Sequence, residues 1–164
     1  MSEGQASRPA PWDEATAASI VAARGQEPGA MLPILHDLQA AFGYVDAAAV
    51  PIIADRLNVS RAEVHGVVSF YHDFRDHPAG RHVLKICRGE ACQAVGCRAL
   101  VDHLDICHGL ATGATTADGD LTVEEIFCLG NCALGPSVLY DGELIGRVDA
   151  KTLDGLVAEA REPR

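Results

Sequence analysis

His82-Val83-Leu84-Lys85-Ile86-Cys87-Arg88-Gly89-Glu90-Ala91-Cys92-Gln93 decides the fold. His82 to Ile86 alternates as a strand does, and the run ends on Cys87. A helix is predicted from roughly Ala91 to His108, with Val95, Ala99, Leu100 and Leu104 facing inward. After a polar loop and the Asp118-Gly119-Asp120 turn, Leu121 to Phe127 reads as a second strand, and it ends at Cys128. Val138-Leu139-Tyr140, Asp141-Gly142 and Glu143-Leu144-Ile145 form a hairpin with a two-residue turn. Asp149 caps a last helix that carries Leu153, Leu156 and Val157.

Upstream the pattern is helical. Residues 1–12 are polar, with Pro9 and Pro11, and read as a flexible tail. Asp13 caps a first helix ending near Arg24-Gly25. A second places Met31, Leu35, Leu38 and Phe42 on one face and stops at Gly43, which can take the left-handed conformation. A third holds Val50, Ile53 and Leu57 and stops at Asn58; Pro51 makes a start at Asp46 awkward, so a late start or a kink is expected. Ser60-Arg61-Ala62-Glu63 is a capping box for a fourth, through Val64, Val67, Val68 and Tyr71. The chain therefore divides into an N-terminal helical bundle over residues 13–75 and an α/β domain over residues 80–162. The strand, helix, strand, hairpin, helix order of the latter is that of a thioredoxin-like domain.

Composition narrows the function. The 164 residues are 48% apolar but only 5% aromatic, so a globular core must be built from Ala, Val, Leu and Ile. Thirteen basic against 23 acidic residues give a formal net charge of −10, which opposes binding to nucleic acid or to anionic membranes. Solubility is the ordinary reading of such acidity. The opening residues hold no apolar leader segment and no run approaches a bilayer span, so a cytoplasmic location is expected. Six cysteines in a reducing compartment point to metal or redox chemistry before structural disulfides.

Four of them form two clusters, Cys87-x4-Cys92 and Cys128-x3-Cys132, with 35 residues between. Each pair begins where a strand ends, which brings both to one edge of the sheet. Four thiolates there can ligate a two-iron cluster, whose negative charge calls for backbone N–H donors from glycine-containing loops; Gly89 and Gly130 lie inside the two cysteine loops. Lys85 and Arg88 could offset that charge, although solvated cations are the plainer reading. Structural zinc also takes four cysteines but favours C-x2-C knuckles, and a redox disulfide would be expected as C-x-x-C at a helix start. Buried, unliganded thiol is the reading of Cys97 and Cys107. His103 and His108 lie five apart, off the spacing that sets side chains side by side, and read as surface or packed imidazoles. No hydrolase triad order, G-x-G-x-x-G or phosphate-binding loop is present, so neither NAD nor flavin binding is expected, and no catalytic acid, base or nucleophile is assigned.

The cysteine spacing, with Cys128-Leu129-Gly130-Asn131-Cys132, His65-Gly66-Val67-Val68-Ser69-Phe70-Tyr71 and Gly135-Pro136, resembles the thioredoxin-like [2Fe–2S] ferredoxin family. That family includes the 24-kDa-type subunit of respiratory NADH dehydrogenase, and the resemblance runs from about residue 13 to about residue 160. Several stretches are most similar to the gamma subunit of soluble NAD-dependent formate dehydrogenase: Pro33-Ile34-Leu35-His36, Arg61 to Gly66, Pro78 to Val83 and Cys87 to Gln93. The resemblance implies one [2Fe–2S] cluster on Cys87, Cys92, Cys128 and Cys132. It further implies a flavin-bearing, NAD(H)-reactive partner subunit and, for a formate dehydrogenase, a molybdenum-containing catalytic subunit. The alternatives within the class are the equivalent subunit of a respiratory NADH dehydrogenase or an NAD-linked hydrogenase. Outside it stand a zinc-stabilised adaptor and a cysteine redox sensor.

Overall fold

The computed structural model describes residues 10–162, and the chain divides into two compact units, with the boundary between Pro78 and Ala79. The expected tail falls mostly on residues 1–9, which lie outside the described residues. Residues 10–12 are held in place: the Ala10 N–H donates to the Ala41 carbonyl at 3.1 Å, and the Trp12 and Phe42 ring centroids are 5.0 Å apart.

The first unit holds α1 (Glu14–Arg24), α2 (Met31–Phe42), α3 (Ala49–Leu57) and α4 (Arg61–Phe70). Asp13 caps α1 by accepting the Thr16 N–H, and α2 ends on Gly43 at φ 82°. The start of α3 is late: Pro51 sits in its first turn, where no backbone N–H would have had a helical partner, and Asp46 accepts the Ala48 N–H ahead of it. Asn58 stops α3 in the left-handed conformation, and Ser60 with Glu63 closes both halves of the capping box on α4. Val21, Ile34, Leu35, Leu38, Phe42, Ile53 and Val64 are buried together as the core of this unit.

The second unit is a four-stranded sheet with helices: β1 (His82–Cys87), α5 (Glu90–Ala94), α6 (Cys97–His108), β2 (Leu121–Ile126), a 3-10 turn (Cys132–Leu134), β3 (Val138–Tyr140), β4 (Glu143–Ile145) and α7 (Ala150–Ala160). Strand order is β2-β1-β3-β4. β1 and β2 run parallel with Cys87 opposite Ile126, while β1–β3 and β3–β4 are antiparallel. Asp141 and Gly142 both take positive φ, 49° and 89°, as the two-residue turn requires. Leu84, Ile86, Leu100, Leu104, Leu121, Val123, Leu153 and Val157 make its core. The first half of the outer edge of β2 is covered by the chain that precedes it. Gly113 and Thr116 N–H groups donate to the Val123 and Leu121 carbonyls at 2.7 and 2.8 Å, and the Val123 N–H returns a bond to Ala114 at 3.0 Å.

The single helix expected over 91–108 is two. Gly96 at φ 102° separates α5 from α6 and resets the helical phase. Val95 and Ala99, expected inward, are therefore exposed, while Leu100 and Leu104 are buried.

Candidate metal centre

Parallel pairing of β1 and β2 puts Cys87 and the residues after Ile126 at the same end of the sheet, and there the two cysteine loops cross. The Arg88 N–H donates to the Ile126 carbonyl at 2.7 Å, and the Cys87 N–H to the Ser137 carbonyl at 3.1 Å. At the first crossing, a Cβ on Gly89 would stand 3.4 Å from the Phe127 carbonyl oxygen, 3.6 Å from Cys87 Sγ and 3.8 Å from Cys128 Cα. At the second, a Cβ on Gly135 would stand 3.1 Å from Val95 Cγ2 and 3.4 Å from both Cys92 Sγ and the Cys132 carbonyl. Cys87 Sγ and Cys128 Cα thus both lie against Gly89, and Cys92 Sγ and the Cys132 carbonyl against Gly135. Gly146 closes the back of the second loop: a Cβ there would meet Asn131 Nδ2, Leu134 Cβ and the Leu134 carbonyl within 2.9 Å.

Backbone N–H groups are aimed at the sulfurs. Cys87 Sγ accepts from Gly89 and Leu129, Cys92 Sγ accepts from Ser137, and Cys128 Sγ accepts from Gly130 at 3.3 Å. Burial raises the Cys87 thiol, yet hydrogen bonds from Gly89, Leu129 and Cys92 together hold it below the ordinary thiol range. Its hydrogen-bonded neighbour Cys92 is pushed up, by burial first and by Cys87 second. Cys87 and Cys92 are buried; Cys128 and Cys132 are exposed.

This donor set fits a two-iron cluster. Thiolates bonded to iron and bridging sulfides carry net negative charge, which converging amide N–H groups stabilise.

Lys85 and Arg88 are not free cations: they pair with Glu124 at 3.2 Å and Glu125 at 2.7 Å on β2; Lys85, Arg88 and Glu124 are half-buried and Glu125 is exposed. Arg88 Nε is buried with no hydrogen-bond partner. Cys97 is fully buried beside Cys87 and Cys92, and burial raises its thiol. Cys107, expected to be buried, is exposed, because it points away from the α6 face that carries Leu100 and Leu104. Ser137 was not anticipated: it is 1% exposed, and its Oγ accepts from Asn131 Nδ2 at 3.1 Å, tying the second loop to the start of β3. The only sequence signal for it was a small polar residue directly between Gly135-Pro136 and a strand. His103 and His108, set aside on spacing, both reach Asp154 on α7, at 2.6 and 2.7 Å.

The family model for thioredoxin-like [2Fe–2S] ferredoxins matches residues 17–161. The NADP-reducing hydrogenase subunit HndA of Solidesulfovibrio fructosivorans is 32% identical over 82% of this chain and 78% of its own. A subunit of the NADH-quinone oxidoreductase of Rhizobium meliloti is 33% identical over 80% of this chain and 79% of its own. Among solved structures, the NAD+-reducing [NiFe]-hydrogenase in the H2-reduced state superposes with a TM-score of 0.66 and 27% identity over 82% of this chain. The air-oxidized state gives the same score at 24% identity, a likeness of fold alone. The present chain spans about a quarter, 23–24%, of those hydrogenase chains.

Proposed function

The chain belongs to the thioredoxin-like [2Fe–2S] ferredoxin family, and from that premise we propose that it is a non-catalytic electron-transfer subunit holding one cluster on Cys87, Cys92, Cys128 and Cys132. The observation that carries the ligand assignment is the crossing of two cysteine loops at one end of the β1–β2 pair, with Gly89, Leu129, Gly130 and Ser137 N–H groups aimed at their sulfurs. When bound, such a cluster takes up and releases one electron at a time. The residues supply the rest. The N–H donors stabilise charge on sulfur, and burial of Cys87 and Cys92 keeps one side dry. Exposed Cys128 and Cys132 leave the other side open to a partner. Val95, Phe127 and Leu134, exposed by 53%, 74% and 41%, add an apolar surface in the same segments, of the kind a docked protein covers.

The partner proposed is a flavin-bearing subunit that reacts with NAD(H), in a cytoplasmic complex; no helix of the described residues is long and apolar enough to cross a membrane. For the parent enzyme, the formate dehydrogenase-like stretches around Pro33, Arg61, Pro78 and Cys87 favour a formate dehydrogenase with a molybdenum-containing catalytic subunit. A second reading, the equivalent subunit of a hydrogenase or NADH dehydrogenase, is favoured by the names of the relatives that match over most of their length. Purifying the native complex separates them: molybdenum with formate-dependent NAD reduction supports the first, nickel with hydrogen-dependent reduction or a quinone-reactive assembly the second.

The ligand assignment is tested by Cys128→Ser and Cys107→Ser in anaerobically purified chain. Cys128→Ser is expected to lose iron and acid-labile sulfide, and Cys107→Ser to keep both. Wild-type iron and sulfide content in Cys128→Ser would refute the assignment.

A further inference from the structure

Away from the cysteine loops, α6 and α7 bring three metal-binding side chains to one point. His103 Nε2 and His108 Nε2 lie 2.6 and 2.7 Å from the same oxygen, Asp154 Oδ1, and the three ligand atoms all fall within 4.8 Å of one another. The rings meet edge to face, 72° between planes and 5.7 Å between centroids. The spacing of five works because the target is on a neighbouring helix: His103 and His108, the last residue of α6, both reach Asp154 on α7.

We propose that His103, His108 and Asp154 form a second metal site, for a divalent cation of the zinc class. Two imidazoles and one carboxylate are a borderline nitrogen and oxygen set that suits zinc, and three protein ligands leave room for water as the fourth. Bonds of 2.0–2.1 Å at the tetrahedral angle set ligand atoms about 3.3 Å apart. The site must therefore open by roughly 0.6–0.7 Å from its hydrogen-bonded spacing. Its side chains can do this, since they are 23%, 17% and 49% exposed rather than locked in the core. Zinc-bound imidazoles carry their proton on the other ring nitrogen, which then needs an acceptor. His103 has one: Cys107 Sγ stands 3.5 Å from its Nδ1. With the cation on both Nε2 atoms, each neutral ring carries its proton on Nδ1, and metal–ligand bonds replace the two histidine–Asp154 contacts. The cation would pin α6 to α7 on a part of the unit whose residues are all distinct from the four proposed cluster ligands.

The test uses the full chain with its cluster intact, dialysed anaerobically against micromolar zinc, with zinc and iron counted by mass spectrometry. One zinc per chain with unchanged iron is expected, and Asp154→Asn and His103→Gln should each weaken zinc binding at least tenfold while far-UV circular dichroism stays the same. Absence of stoichiometric zinc overturns the site. So does zinc retained by a His103→Gln/His108→Gln double variant, or zinc gained only as iron is lost, which would locate it on the cysteines.

Discussion

Replacing Gly96 with alanine asks whether the chain between Cys92 and His108 is broken, as found here, or continuous, as its periodicity suggests. Gly96 sits at φ 102°, and a Cβ there would meet nothing within 4 Å. Steric collision is therefore not the issue; only backbone conformation is. An L side chain in the left-handed region costs about 1–2 kcal/mol. Gly155, inside α7 of the same unit, also has open space around a Cβ but carries no positive φ. There the same substitution restricts the unfolded chain and is worth about 0.5–1 kcal/mol in the opposite direction. The two variants should thus differ by about 1.5–3 kcal/mol, which separates their urea midpoints by about 1–2 M at a slope of about 1.5 kcal/mol per M. Anaerobic urea titrations of the full chain, followed by circular dichroism at 222 nm, read this directly. If Gly96→Ala stabilises as Gly155→Ala does, α5 and α6 are one helix and the account of how Val95 becomes exposed is wrong.

Two further outcomes are expected. Leu104→Ala, at a fully buried position, should cost about 2–5 kcal/mol, whereas Ile106→Ala, 82% exposed on the same helix, should stay within about 0.5 kcal/mol; equal shifts in thermal melts would contradict the placement of α6. The Glu63 carboxyl is held below its usual range, chiefly by the Ser60 N–H and then by the Ser60 hydroxyl. A depressed carboxylate adds stability that is present above its unfolded value, about 4.3, and lost as pH falls through the lower folded value. Glu63→Gln should flatten the acid limb of the stability profile below pH about 4, and an unaltered slope in urea titrations across that range would contradict the capping geometry.

Local chemistry made much of this molecule readable in its residues. Asp13, Ser60 with Glu63, and Asp149 each announce a helix start because a short oxygen side chain satisfies otherwise unpaired N–H groups, and all three do so. Asp141-Gly142 announces its hairpin through the positive φ values that such a turn demands. The convergence of two cysteine pairs followed from strands ending at both, given that parallel neighbours end on the same side. What escaped notice depends on tertiary partners. Gly96 lies within an otherwise helical pattern, where nothing local separates a tolerated glycine from a break. Trp12 belongs to a stretch rich in proline, yet it finds Phe42 thirty positions on. Spacing along α6 argued against joint action by His103 and His108, because it takes no account of a carboxylate presented by α7.

The wrapping of residues 113–116 along β2 has a consequence for the chain outside any assembly. An uncovered outer strand offers a row of amides and carbonyls on which a second molecule can build, and this is how sheets seed fibrils. Here the first half of that row, at Leu121 and Val123, is already satisfied by the molecule's own backbone, and the opposite border, β4, is only three residues long. The sheet of the second unit therefore presents little template on which a second copy could polymerise.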